Sequence, residues 1–101
     1  MFDKFKDGDL VTSKFVSGEE VIATFKGSTN DTISITKGLV LMQGPQGLAF
    51  GTFFSTADQT KHIDIAKDKI MTMAYINDKI KVEYERVFSK IEVPAKPTII
   101  T

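Results

Sequence analysis

One stretch of the chain, residues 14–35, contains two turn signals, and the segments beside them alternate apolar and polar side chains. Its middle segment places three apolar side chains on one face of a strand: Val21, Ala23 and Phe25. Ser17-Gly18 before it predicts a two-residue hairpin loop, because glycine tolerates the positive φ of such turns. Polar residues 27–31 predict a second turn, and the strand pattern resumes at Ile33. The stretch therefore predicts a bent antiparallel meander of three strands.

Strands and turns continue on both sides of this meander. The first strand of the meander begins earlier and spans residues 10–16, and further strand patterns follow the meander over residues 39–42, 48–54, 62–65 and 70–75. Gly38 interrupts the pattern and predicts a bulge or sharp bend, which allows a small sheet to curl. Gly44-Pro45-Gln46-Gly47 predicts a tight turn. We therefore expect a mostly β fold: a small, bent, five-stranded antiparallel barrel over about residues 10–75.

A helix is expected after the last strand, over about residues 78–90. Asn77 is suited to the N-cap and Asp78 to the positive end of the helix dipole. Apolar residues follow at helical spacing: Ile80, Tyr84, Val87, Phe88 and Ile91. Residues 80–84 also fit a strand of period two, an alternative with a shorter match. Residues 94–101 contain two prolines and are expected to be an extended or disordered tail.

Composition limits the classes of function. The 101 residues predict a single domain, over residues 1–93, preceded by a short N-terminal turn. Thirteen basic and 13 acidic residues leave no net charge, which argues against a monomeric, purely electrostatic DNA binder but not against a local basic rim. Cysteine is absent, and no apolar run approaches a membrane span, so we expect a cytoplasmic protein without a membrane association.

Phenylalanines at two places predict specific packing. The spacing of Phe2 and Phe5 is consistent with one short helical turn. This turn would be either a docking lid or a frayed terminus held in place by the two rings, and the second interpretation is favoured. Phe53 and Phe54 are adjacent, so both cannot face the interior of a regular strand. We expect one of them to contact a neighbouring subunit.

The meander resembles the first half-motif of the Sm-like family. The matching residues are Ser17-Gly18, Val21, Ala23-Thr24-Phe25, Lys26-Gly27 and the apolar strand at Ile33–Ile35. Ala23 stands where the family usually has Gly, and Phe25 where it has Leu. The second half-motif departs further, because residues 65–70 lack the family's Arg-Gly. The resemblance extends to small Sm-like proteins encoded by marine cyanophages, which would place the protein in a host cytoplasm.

The resemblance implies a set of nucleic-acid-binding residues, carried by the turns at 28–31 and 67–69, which would lie near one another around the pore of a ring. Asn30 lies in the turn that in the family contacts a base, although no aromatic residue accompanies it. Lys67 and Lys69 flank the turn before the last strand and would contact phosphates. Lys61-His62 matches the Lys-His pair of the bacterial branch, several residues early. RNA or single-stranded DNA is the partner that these residues imply.

A catalytic or metal site is not expected. His62 has Asp58 and Asp64 nearby in the sequence, but no second His or Cys completes a ligand set. No phosphate-binding glycine loop, nucleophile elbow or catalytic carboxylate pair occurs. We therefore expect a protein that is not an enzyme and that needs no cofactor.

Two functions remain open from the sequence. The first is a ring-forming Sm-like module that binds RNA or single-stranded DNA, with roughly five to seven subunits by resemblance. Its neighbours would pair through the strand edges at 62–66 and 70–74. The alternative is a scaffold or assembly protein that uses the same small barrel only for protein contacts.

Overall fold

The computed structural model describes residues 2–45, 47–54, 56–58 and 60–92, with the backbone alone for residues 89–92. The predicted tail over residues 94–101 lies outside the described residues. Six strands, a 3₁₀ turn and one α-helix follow one another: β1 (Leu10–Phe15), β2 (Glu20–Ser28), β3 (Thr32–Gly44), β4 (Gly47–Thr52), β5 (Ile63–Ala66), the turn Lys67–Lys69, β6 (Ile70–Tyr75) and α1 (Asp78–Glu92).

The strands form one antiparallel sheet in the order β4-β3-β2-β1-β6, with β5 also paired to β3. Because β2 follows one edge of β3, the other edge carries both β4, opposite Leu39–Gly44, and β5, opposite Thr32–Ile35. The mostly β fold with a C-terminal helix is therefore confirmed. Among the described strands none joins β6 to β4 or β5, so the sheet is open and a closed barrel is not confirmed.

A bulge bends β3 near its middle. Ile22 of β2 pairs with Leu39 and Thr24 pairs with Thr36, so β3 carries one extra residue between these pairs. Lys37 takes up the bend with a φ of 55°. Gly38 follows it beneath Phe53, whose Cδ2 would lie 3.2 Å from an added Cβ. The bend predicted from Gly38 is present, although the left-handed residue is the lysine beside it.

The turn between β1 and β2 is longer than predicted. Four residues, 16–19, separate the strands, rather than the two of the expected loop. The Phe15 N–H donates to the Glu19 carbonyl at 2.9 Å, and Gly18 has a φ of 107°. Glycine is thus required at the predicted position, in a different turn.

The main core lies on one face of the sheet and includes the three alternating residues of β2, as predicted. Val21, Ala23 and Phe25 are buried there with apolar residues from β1, β3 and β6. Phe2 and Phe5 are 7% and 5% exposed and belong to the same core. The N-terminal segment is therefore packed against the sheet, and residues 3–4 form a turn without a helix. Phe53 also packs on this core, whereas Phe54 is 46% exposed. Both lie beyond the end of β4 at Thr52, so the strand predicted over residues 48–54 ends two residues early.

The helix covers the opposite face of the sheet. Asn77 Oδ1 accepts a hydrogen bond from the Ile80 N–H at 2.8 Å, which confirms the predicted N-cap. Tyr84 and Phe88 of α1 pack on Ile22 and Leu39. The alternative of a strand over residues 80–84 is wrong. None of the described helices is long and apolar enough to cross a membrane.

Candidate nucleic-acid interface

The turn between β2 and β3 presents Asn30 to solvent. Thr29 orders this turn, because its Oγ1 accepts hydrogen bonds from the N–H groups of Asp31 (3.2 Å) and Thr32 (3.0 Å). The Thr29 N–H in turn donates to the Thr32 carbonyl at 2.9 Å. Asn30 is exposed at the tip, so its amide is accessible to a ligand.

The 3₁₀ turn with Lys67 and Lys69 lies directly beside the Asn30 turn. The Lys67 N–H donates to the Asp31 carbonyl at 2.8 Å, immediately after the pairing of Ala66 with Thr32. Because β5 pairs with the beginning of β3, the Lys67–Lys69 turn lies at the same end of β3 as the Asn30 turn. Three of the five predicted site residues are brought together: Asn30, Lys67 and Lys69.

The two lysines of this surface have different surroundings. Lys67 is half-buried, with its Nζ 5.6 Å from the centre of the Phe2 ring, a cation–π contact. Lys69 is exposed, and its carbonyl accepts a hydrogen bond from the Val16 N–H at 2.9 Å. Asp31 and Asp68 are also exposed here. The two carboxylates offset the two ammonium groups, so the attraction for phosphate is weak.

Lys61 and His62 lie at the other end of β5. The four residues of β5 separate them from the Lys67–Lys69 turn by roughly 13 Å along the strand. They border an open cleft of about 700 Å³, which we name the lysine cleft. Its lining consists of cationic and hydroxyl side chains: Thr24, Lys26, Thr36, Lys37, Thr60, Lys61 and His62.

Hydrogen bonds to α1 fix the floor of the lysine cleft. Tyr84 has a single hydroxyl proton, which it donates to the Lys37 carbonyl at 2.7 Å. Thr24 Oγ1, 3.0 Å from the Tyr84 oxygen, must therefore donate its own proton to Tyr84. Burial raises the pKa of Tyr84 to about 12, partly offset by the bond from Thr24. The phenol is thus neutral at physiological pH.

Three carboxylates lie near the cations of the cleft without lining it. Asp7 Oδ1 is 2.8 Å from Lys26 Nζ. Asp58 accepts hydrogen bonds from the Thr60 hydroxyl (2.6 Å) and N–H (3.0 Å), and these bonds lower the pKa of its carboxyl. Asp64 accepts a 2.5 Å bond from Ser34 Oγ and lies 3.9 Å from His62 Nε2.

The carboxylates beside His62 are engaged by hydroxyl groups. Within the described part of the chain, no three His, Asp or Glu side chains form a group that could hold a metal ion. His62 lies just before β5 and Asp64 within it, and His62 Nε2 is 3.9 Å from Asp64 Oδ1. What these residues present to a ligand is a cationic wall rather than a ligand set.

Sequence reasoning missed most of the lysine cleft. Thr24 and Lys26 are two residues apart on one strand face, a signal that was available in the pattern of β2. Lys37 gave no such signal, because its position depends on the bulge. The cleft forms only when β2, the bulge of β3 and the segment before β5 come together.

Comparison with models of protein families finds no match, and comparison with curated proteins finds no significant match. Function is therefore inferred from the residues and geometry of this chain.

Proposed function

We propose that the protein is a non-enzymatic Sm-like module that binds single-stranded RNA or DNA. The binding surface is formed by the Asn30 turn and the Lys67–Lys69 turn. One observation carries the proposal: the 2.8 Å hydrogen bond from the Lys67 N–H to the Asp31 carbonyl. It joins the two turns that the Sm-like resemblance predicts to act together.

The arrangement of strands supports the same proposal. A three-stranded meander with a long, bent third strand is followed by strands that return along that third strand and then pair with the first. This arrangement fits the small bent antiparallel sheet that the Sm-like resemblance predicts. The helix follows the sheet in this chain, whereas the family usually places a short helix before it.

The chemistry of the surface predicts weak binding with little sequence preference. The Asn30 amide has donors and an acceptor for a base edge, and Lys69 has an exposed ammonium for a phosphate. Asp31 and Asp68 repel the same phosphates. Single strands are favoured, because their unpaired bases are accessible to a side-chain amide.

The test is a titration of a fluorescent uridine-rich oligonucleotide at low salt. Lys67→Ala combined with Lys69→Ala should weaken binding and reduce the slope of log affinity against log salt by about 1.4, the effect of two lost single-strand contacts. Because Lys67 also packs over Phe2, Lys69→Ala alone is included and should give about half this change. Lys79→Ala with Lys81→Ala, two exposed lysines of α1, is the matched control.

Two results would contradict this proposal. One is the absence of binding by the native protein at low salt. The other is equal binding by the double variant, which would make these lysines a solvated turn.

A scaffold protein is the second candidate function. Strands with a free edge carry large exposed apolar side chains, with Leu48 on β4 at 56%, Met71 on β6 at 60% and Tyr75 on β6 at 51% exposed. Such side chains favour contact with another protein. Self-association without any salt-dependent oligonucleotide binding would support this function over the first.

A further inference from the structure

We infer that the lysine cleft is a separate anion site that takes a chain of phosphates, either a free oligophosphate or the backbone of a nucleic acid. The site lies at the other end of β5 from the Asn30 and Lys67–Lys69 turns. It requires neither base recognition by Asn30 nor assembly into a ring, so it can be tested independently of the proposed function.

The first argument is the charge of the lining. Three lysines and a histidine line the cleft from three parts of the fold: Lys26 from β2, Lys37 from the bulge of β3, and Lys61-His62 from the segment before β5. No carboxylate is among the lining residues that the structure describes. A concave surface with cations on several sides concentrates positive potential and attracts anions.

The carboxylates outside the cleft do not prevent this attraction. Lys26 and Asp7 form an ion pair at 2.8 Å, but both side chains are solvent-exposed, and such pairs contribute little. An anion in the cleft can therefore compete with Asp7 for Lys26. The Asp58 carboxylate is held by two bonds from Thr60, which direct it toward its own turn.

The threonines shape the cleft rather than recognise a ligand. Thr24 donates to Tyr84, Thr60 donates to Asp58, and Thr36 Oγ1 makes a long 3.5 Å bond to the Lys61 carbonyl. Their hydroxyl protons are thus used within the protein. Recognition must come from the ammonium charge of the lysines, which has little directional preference and favours a ligand with several negative groups.

The size and lining of the cleft also point to phosphates. About 700 Å³ is within the range of small-molecule sites and is much larger than one phosphate requires. No aromatic side chain is among the described lining residues, so the cleft offers no stacking platform for a base. A chain of phosphates satisfies both observations.

The site can be located with tripolyphosphate, which has no base. In a titration followed by ¹⁵N–¹H spectra, we expect saturable shifts at the backbone amides of residues 24–26, 36–37 and 60–62. Lys26→Gln with Lys61→Gln should abolish them, while Lys14→Gln with Lys79→Gln should leave them unchanged. Lys69→Ala, which tests the turn surface, should also leave them unchanged.

A second arm uses a fluorescent single-stranded oligothymidine and separates the two sources of phosphate. If the cleft takes the nucleic-acid backbone, Lys26→Gln with Lys61→Gln lowers the salt slope by about 1.4. If it takes free oligophosphate only, this variant binds the oligonucleotide normally but loses tripolyphosphate. Absence of shifts with tripolyphosphate, shifts centred on residues 67–69, or unchanged binding of both probes by the cleft variant would overturn the inference.

Discussion

Tyr84 is the residue that joins the helix to the sheet through polar contacts. Its side chain is 3% exposed, its hydroxyl donates to the Lys37 carbonyl, and it accepts from Thr24. The phenol thereby donates a hydrogen bond to the bulge of β3, where the register of pairing with β2 shifts. Each of these two hydrogen bonds contributes about 0.5–1.5 kcal/mol, so together they stabilise the fold by about 1–3 kcal/mol.

Tyr84→Phe should therefore reduce the free energy of unfolding by about 1–3 kcal/mol at neutral pH, as measured by urea denaturation. It should also reduce the loss of stability in alkali. The pKa of Tyr84 is 10.0 in the unfolded chain and about 12 in the folded protein. The stability that this shift contributes is therefore complete below pH 10 and is lost as the pH rises toward 12. Tyr75→Phe, at an exposed tyrosine, is the control. An unchanged alkaline profile in Tyr84→Phe would contradict this assignment.

At the scale of the element, the start of α1 depends on one side chain. Asn77→Ala removes the bond to the Ile80 N–H and should destabilise the protein by about 1 kcal/mol. Asn77→Asp retains an oxygen acceptor and should remain close to the native stability. Urea denaturation of the three proteins measures both effects, and native stability in Asn77→Ala would show that the cap contributes nothing.

Local patterns predicted the elements themselves. Alternation in β2 and the helical spacing after Asn77 each reflect a single buried face, so they are visible in sequence. Burial of both faces of a strand cannot be read from such a pattern. Ile22 is 1% exposed because α1 covers it, and no residue near it in the sequence indicates that contact. The positive φ of Lys37 likewise comes from pairing with β2 and has no compositional signal.

The candidate sites were predictable to different degrees for the same reason. The turn surface unites two short turns, each marked by its own residues, and the Sm-like resemblance indicated their proximity. The lysine cleft takes Lys26 and Lys61 from segments far apart in sequence, so only the fold brings them together. Lys61 and His62 were identified from the sequence, but their position beside Lys26 and Lys37 in the cleft was not.

At the scale of the whole molecule, the open sheet predicts self-association. No described strand covers the outer edge of β6 or the outer edges of β4 and β5. Uncovered edges pair readily with another chain, and pairing of one edge with the other in a ring removes both. We expect light scattering to report an oligomer at micromolar concentration.

The Met71 position offers a specific test of that expectation. Met71→Lys places a charge on the exposed face of the edge strand β6 and should shift the protein toward smaller species. Val82→Lys makes the same change at an exposed position of α1 and should leave the mass unchanged. A monomeric native protein would exclude the ring.

The separate pairing of the two halves of β3 also determines where this chain tolerates a change in length. β4 and β5 are registered separately on the two halves of one continuous strand, and residues 53–62 lie between them in the sequence. Extra residues inserted in that connection would alter neither register, and the entropic cost of a longer loop rises only slowly. Related chains could therefore differ in length most freely here, beside the lysine cleft, and so acquire new binding properties without any change to the sheet.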